Sequence, residues 1–296
     1  MIRKITDSPI NWYGGKGGNT QRKLLNRILD LIDSSKAKRF VDVFGGSGIV
    51  SINTNIGERV FNDKNLYLTH FFRVLKDENL RNEFQKKITL TLYSEIEFDE
   101  AKKRFLEQKA LREELEQSNI DVDEIVDFYI ATMQSREATG AMDAKQTWKC
   151  KGNNRRGMAM AVSSWLKNID ENLPDVVEKL REIEVTNQDV FACLERWDYE
   201  EVIFYLDPPY DINTRKAKKA YGDFELSKEE HVKIVEKLLV IKGQVIVSGY
   251  DSDIYNKLVN YGWNKEEVYL KTSTTVKGNN NGNRKEIIWY KVKNRI

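Results

Sequence analysis

Apolar residues recur along this chain with two periods, and the change from one to the other divides it. Short runs such as "RFVDVF" (39–44), "RVFND" (59–63), "VTNQD" (185–189), "VIFYL" (202–206) and "QVIVS" (244–248) read as strands. Helical patterns lie between them. "TQRKLLNRILDLID" (20–33) puts Leu24, Leu25, Ile28, Leu31 and Ile32 on one face. "IVSINTN" (49–55) reads as the opening of a helix, and so does "SDIYNKLVNYG" (252–262). "SKEEHVKIVEKLLVI" (227–241) starts with a capping box, Ser227 to Glu230. "EVYLKTS" and "EIIWYKV" close the chain as a hairpin.

From about Leu66 to Glu184 the pattern is different. Charged helical stretches dominate, such as "FDEAKKRFLEQKALREELEQ" and "VDEIVDFYIATMQSRE". A loop-rich stretch (138–161) follows, and then a helix with Leu173, Val176, Val177, Leu180 and Ile183 on one face. Strands alternating with helices predict a mostly parallel α/β sheet. The helical stretch is too long for a connecting loop and predicts an inserted domain. The expected division is 1–65 with 185–296 as one domain, and 66–184 as the insertion.

Composition narrows the class. The chain has 296 residues, 40% hydrophobic and 32% charged, as in an ordinary globular protein. No apolar run is long enough to span a bilayer, and the first residues lack a signal-peptide core, so a cytoplasmic protein is expected. The two cysteines, Cys150 and Cys193, form no CxxC pair, so neither a disulfide framework nor a zinc site is expected. Of the histidines, His231 reads as structural. The net charge is only +2, but basic residues cluster in "KCKGNNRR" (149–156), "RKAKK" (215–219) and "KGNNNGNRK" (277–285), local patches suited to a polyanion.

Two stretches carry candidate chemistry. "VDVFGGSGIVS" places a glycine turn after a strand, where a backbone can approach a nucleotide-like ligand. As a GxGxxG pattern it fails at the third glycine, where Ser51 stands. Asp63 follows the next strand, where a carboxylate can take two ribose hydroxyls. The second stretch is "YLDPPYDINTR" (205–215). Strand ends in such sheets face the ligand crevice. The prolines hold the backbone extended and remove its donors. Asp207 and the Pro208 carbonyl then offer two acceptors, which fit one NH₂ group, and Tyr210 offers a face to a flat ring. Two acceptors localise the lone pair of an aromatic amine, so that it can attack a methyl sulfonium with no metal and no covalent enzyme intermediate.

"DPPY" (207–210) downstream of "DVFGGSG" (42–48), with "WYGGKGG" (12–18) before both, resembles DNA adenine-N6 methyltransferases of the Dam-like group, many of them phage-encoded. The match extends to "TNQD", "TRKAKKAYGDF", "GQVIVSGYDSDIYNKL" and "RKEIIWY". The resemblance implies a Rossmann-like class I methyltransferase sheet with a C-terminal antiparallel hairpin and a mainly helical target-recognition insertion. It also implies S-adenosylmethionine as methyl donor, S-adenosylhomocysteine as product, no metal, and N6 of a flipped-out adenine in double-stranded DNA as acceptor.

By the same resemblance, Trp12, Tyr13 and Lys16 lie near the methionine end of the donor. Asp42, Phe44, Gly45, Gly46 and Gly48 line its cleft, and Asp63 takes the ribose. Asp189 with Val190 or Phe191 holds the adenine edge, and Asp207, Pro208, Pro209 and Tyr210 are catalytic. DNA contacts are expected from Arg215, Lys216, Lys218, Lys219, Tyr221, Lys277 and Arg284. In the insertion they are expected from Arg136, Trp148, Lys149, Lys151, Asn153, Asn154, Arg155 and Arg156, which include the residue types that read base edges. A cognate restriction endonuclease fits the same picture, as does a monomer or weak dimer. Chemistry alone leaves cytosine N4 and adenine in RNA open as acceptors. A nicotinamide enzyme would share the glycine turn but not DPPY, and a DNA-binding protein that has lost catalysis would share the fold.

Overall fold

In the computed structural model, residues 3–111, 120–136, 141, 145–150, 154–155, 157–210, 222–271 and 283–293 are described. The chain forms two compact units: Met1–Gly15, Asn65–Arg181 and Ala220–Asp223 in one, Lys16–Lys64, Glu182–Lys219 and Phe224–Ile296 in the other.

The first unit is helical. Its helices are Leu66–Lys76, Glu78–Leu90, Glu95–Leu111, Val122–Met133, Met160–Lys167 and Leu173–Leu180. Asp77 and Asp121 cap two of them through side-chain oxygens on backbone N–H groups. Val122–Met133 is buried at every position but Asp123, and its central residues Phe128–Ala131 are apolar. Around it, Tyr129 stacks on Phe71 at 5.4 Å and meets Phe84 edge-on at 5.3 Å. Asp127 would be costly in this core, and Arg104 satisfies it with two bonds of 2.9 and 2.7 Å.

The first fifteen residues cluster with this helical unit rather than with the sheet. Buried amides tie them there: Asn168 Nδ2 donates to the Pro9 carbonyl and Asn172 Nδ2 to the Ser8 carbonyl, both at 2.9 Å. Asn168–Asn172 is a widened π turn, directly before the helix whose first turn holds Pro174. Proline has no N–H for the regular ladder, and the wider turn accommodates its absence. The loop-rich stretch contains a small antiparallel ladder that its sequence does not announce, Asn154–Arg155 against Met158–Ala159.

The second unit is a seven-stranded sheet. Its strands are β1 (Arg39–Asp42), β2 (Glu58–Asn62), β3 (Ile183–Thr186), β4 (Val202–Leu206), β5 (Gln244–Gly249), β6 (Asn264–Lys271) and β7 (Asn283–Lys291). They lie in the order β3-β2-β1-β4-β5-β7-β6. All pairings are parallel except those of β7, which runs antiparallel to both β5 and β6. Helices Arg22–Asp33, Val190–Arg196, Lys228–Val240 and Asp253–Asn256 belong to this unit. β4 and β5 are buried along their whole length, which explains their continuous apolar sequence. The capping box of Ser227 and Glu230 forms as expected. His231 is buried, with Nδ1 3.0 Å from the Tyr255 hydroxyl.

Three details correct the sequence reading. Residues 49–55 form turns, not a helix. Ile52 N and Thr54 N still donate to the Gly48 and Val50 carbonyls, but the turns go no further, because the Thr54 hydroxyl and the Asn55 backbone N–H turn to Asp33. Ile183 pairs with Arg59 in β3 instead of continuing the preceding helix. The helix begun at Asp253 tightens into a 3-10 turn from Lys257 to Tyr261.

The strand order reverses between β1 and β4, so their carboxyl ends flank the crevice where such sheets take ligands. The glycine turn after β1 is packed, not slack. An alanine at Gly45 would place its Cβ 2.2 Å from the Phe61 ring. Gly46 and Gly48 have φ of 49° and 72°, which favour glycine. Gly45→Ala is expected to lower stability by about 1–3 kcal/mol through overpacking, read as a urea midpoint, and to cost less in a Phe61→Leu background. An unchanged midpoint would contradict this packing.

Candidate active site

Four neighbouring strands deliver side chains to one place in the sheet unit. β1 ends at Asp42, β4 runs into Asp207, β5 carries Ser248 and β7 carries Glu286. The register pairs Asp42 with Tyr205, so the ends of β1 and β4 lie side by side.

Among the described residues, Lys16 and Ser248 are the partners of Asp207. Lys16 Nζ lies 2.6 Å from Oδ2, and Ser248 Oγ donates to Oδ1 at 2.9 Å. Tyr205 OH lies 2.8 Å from Ser248 Oγ. Burial first, then the nearby Asp207 charge, holds the Tyr205 phenol well above its ordinary pKa, so it stays protonated. Ser248 gives its own proton to Asp207, which leaves Tyr205 as the donor to Ser248. Pro208 and Pro209 follow, both buried.

Lys16 is 2% exposed and also donates to Tyr210 OH at 2.9 Å. Tyr210 OH donates in turn to Glu286 Oε2 at 2.9 Å. The Tyr210 ring meets the Tyr250 ring at 4.6 Å and 63°, with the Lys16 ammonium 5.3 Å from its centre.

Asp42 is buried. Its Oδ2 accepts from Ser51 Oγ at 2.8 Å, while Oδ1 has no hydrogen-bond partner among the described residues. Burial, against the Ser51 bond and with help from Asp207 and Asp63, raises its pKa from 3.8 to about 7. Asp63 Oδ2 accepts from Gly46 N at 2.9 Å, which fixes the glycine turn against the end of β2. Asn62 is fully buried and locks three segments: Nδ2 donates to the carbonyls of Val43 and Gln188, and Oδ1 accepts from Gln188 N and Thr186 Oγ1.

The structure places the other expected residues as follows. Phe44 and Phe191 pack, half-buried, against the core that includes Val190. Asp189 caps the helix Val190–Arg196, with Oδ1 on the N–H groups of Phe191 and Ala192. In the helical unit, Trp12 packs near Phe128 at 6.1 Å, and a turn closes from Gly15 N to the Trp12 carbonyl with Tyr13 inside it. Trp148 lies 5.4 Å from the Tyr93 ring and donates to Gln134 Oε1, while the Lys149 carbonyl accepts from Tyr93 OH. Arg136 is exposed. Asn154 and Arg155 lie on the short ladder. Arg284 is engaged inside the sheet unit, 2.5 Å from Glu286 Oε1 and 4.8 Å from the centre of the Tyr250 ring. Lys151, Asn153, Arg156, Arg215, Lys216, Lys218, Lys219, Tyr221 and Lys277 lie outside the described residues.

Sequence reasoning missed Tyr205, Ser248 and Glu286 as site residues. A signal existed for two of them: a serine ending the apolar run "QVIVS" and an acid opening "EIIW" are polar residues inside buried strands.

The residues fit a positively charged ligand. Asp207 and Asp63 lie near enough to add to the effect of burial on Asp42, and Asp42 Oδ1 is a buried acceptor with no hydrogen-bond partner among the described residues. S-adenosylmethionine, with its sulfonium and ammonium, suits these carboxylates. Among the described residues, no group of three or more His, Cys, Asp or Glu is placed to hold a metal ion, and no helix is long and apolar enough to cross a membrane.

A family model described as D12 class N6 adenine-specific DNA methyltransferase matches residues 12–275. The modification methylase StsI of Streptococcus sanguinis is 26% identical over 238 residues, which is 77% of this chain and 32% of that protein. The chain thus spans about a third of the length of that curated relative.

The state of Asp42 has a consequence for stability. Its folded pKa exceeds the unfolded value, so its stabilising contribution is complete below about pH 4 and is lost as pH rises to about 7. Relative to Asp42→Asn, the wild type should lose stability across that window, by at most about 1.4 kcal/mol per pH unit. Urea midpoints for both proteins between pH 5 and 8 test it; parallel profiles would contradict it.

Proposed function

The chain belongs to the D12 class of N6 adenine-specific DNA methyltransferases, and on that premise we propose that it transfers a methyl group from S-adenosylmethionine to N6 of adenine in double-stranded DNA. The observation that carries this reading is the Asp207 carboxylate. It stands at the end of a buried strand beside the reversal of strand order, fixed by Lys16 and Ser248, with the Pro208 carbonyl next to it.

When bound, S-adenosylmethionine supplies an electrophilic methyl group on a positively charged sulfur. Asp42, Phe44, Gly45, Gly46, Gly48, Asp63, Asp189 and Phe191 are the residues we assign to holding it. Trp12 and Tyr13, for which the resemblance implies a donor-binding role, belong to the helical unit. A cationic donor beside Asp42 would favour its charged form and so lower its raised pKa.

Asp207 and the Pro208 carbonyl accept the two N–H bonds of the target amine. Each carboxylate oxygen has more than one acceptor direction, so the bonds from Lys16 and Ser248 leave Asp207 able to take another. This draws the amine lone pair out of the ring and fixes its direction. Asp207 is also the base we assign to the proton that the nitrogen sheds once methylated. Tyr210 is the aromatic side chain we assign to the adenine ring.

Adenine must leave the duplex to reach these groups, at about a few kcal/mol of unstacking. The basic segments at 149–156, 215–219 and 277–285 suit backbone contacts that offset this cost. Arg136 and the ladder carrying Asn154 and Arg155 are our candidates for sequence reading. The relative's name, a modification methylase, favours a modification role.

Transfer of labelled methyl from S-adenosylmethionine to unmethylated duplex DNA tests the proposal, with the product digested to nucleosides and Asp207→Ala run in parallel. Label should appear in N6-methyladenosine and fall at least about a hundredfold in the variant. Label in N4-methylcytosine, or on RNA but not DNA, would overturn the acceptor. Label unaffected by the substitution would overturn the role of Asp207.

A further inference from the structure

We propose that Glu286 and Arg284, on β7, are positioning residues for the methyl-transfer site and act through Tyr210; this rests on the methyltransferase reading above. Glu286 is fully buried and is followed along β7 by buried Ile287, Ile288 and Trp289. A carboxylate at such a position is costly unless its oxygens are engaged. One oxygen accepts the Tyr210 hydroxyl at 2.9 Å, and the other faces the Arg284 guanidinium at 2.5 Å. Arg284 lies over Tyr250, and the Tyr250 ring packs against Tyr210. The four side chains close a loop around the last residue of DPPY.

The loop gives the hydrogen bonds a direction. A lysine ammonium has donors only. The Tyr210 oxygen must therefore accept from Lys16, and its own proton goes to Glu286. Glu286 thereby keeps the Tyr210 lone pairs turned toward Lys16, and Lys16 remains shared between Tyr210 and Asp207. Without that acceptor the phenol proton would lose its buried partner, and the hold of Tyr210 on the lysine beside Asp207 would loosen. The β5–β7 register supports the same assignment: it pairs Ser248 with Ile288 and Gly249 with Ile287, bringing Ser248 and Glu286 to one end of adjacent strands. Arg284 neutralises Glu286 from within the sheet unit. Its guanidinium is engaged there by Glu286 and Tyr250; the sequence suggested it for a DNA phosphate.

Single-turnover methyl transfer, S-adenosylmethionine affinity and the salt dependence of DNA binding, measured on the full chain, test this. Glu286→Gln should slow transfer about tenfold or more with donor affinity retained, because a misplaced acceptor costs rate more than binding. Tyr210→Phe should slow it comparably, and the double variant should be no slower than Tyr210→Phe alone. Arg284→Gln should slow transfer while leaving the salt slope of DNA binding unchanged. Unchanged transfer in Glu286→Gln, or rate losses that multiply in the double variant, would overturn the proposal. A shallower salt slope in Arg284→Gln would return that residue to phosphate binding. Should Glu286→Gln fail to fold, Tyr210→Phe decides alone: it keeps the ring and removes only the hydroxyl link, and a wild-type rate would overturn the proposal. Absence of DNA methylation by the wild type would overturn both readings, whereas transfer indifferent to Glu286 overturns only this one.

Discussion

The ion pair between Lys16 and Asp207 is the contact on which the rest of the site depends. β4 is buried from end to end, so the acid that follows it enters poorly solvated ground. An anion there needs a partner, and breaking a buried pair by removing one member typically costs about 3–5 kcal/mol. Lys16 is almost wholly buried and serves both Asp207 and Tyr210. Ser248 takes the other oxygen of Asp207 and is itself oriented by Tyr205. The carboxylate is therefore set in place before any substrate arrives, and fixed acceptors are what an amine-activating site requires.

Burial first, and then the nearby Asp207 and Asp63 charges, raise the pKa of Asp42 to about 7. A cationic methyl donor would offset part of that cost. The topology supplies the geometry: β1 and β4 meet where strand order reverses, and β5 and the antiparallel β7 extend the same row of side chains. Asp63 and Asn62, at the end of β2, hold the glycine turn and the start of the next loop against that row.

Much of this was legible in the sequence because it is local. Continuous apolar runs gave the buried strands, the 3.6-residue period gave Arg22–Asp33, and Ser227 with Glu230 announced a helix start. DPPY and the glycine turn are contiguous and carry their chemistry with them. The rest depends on residues far apart in the chain. Lys16 meets Tyr210 across 194 positions and Tyr210 meets Glu286 across 76, distances that no periodicity encodes. The expected helix at 49–55 stops at turns because Asp33, more than twenty positions earlier, takes the Thr54 hydroxyl and the Asn55 N–H. The attachment of residues 1–15 to the helical unit rests on buried asparagines that look like ordinary polar positions in the sequence.

The central claim is that Asp207 acts as a fixed, charged acceptor for the target amine. The most direct test is the single-turnover methylation rate of Asp207→Asn, with donor and DNA affinities measured on the same protein. Asparagine keeps the shape but removes the charge and turns one acceptor into a donor. The account predicts a rate reduced about a hundredfold or more with both affinities largely retained. A rate close to the wild type, or a loss explained by weaker binding alone, would contradict it.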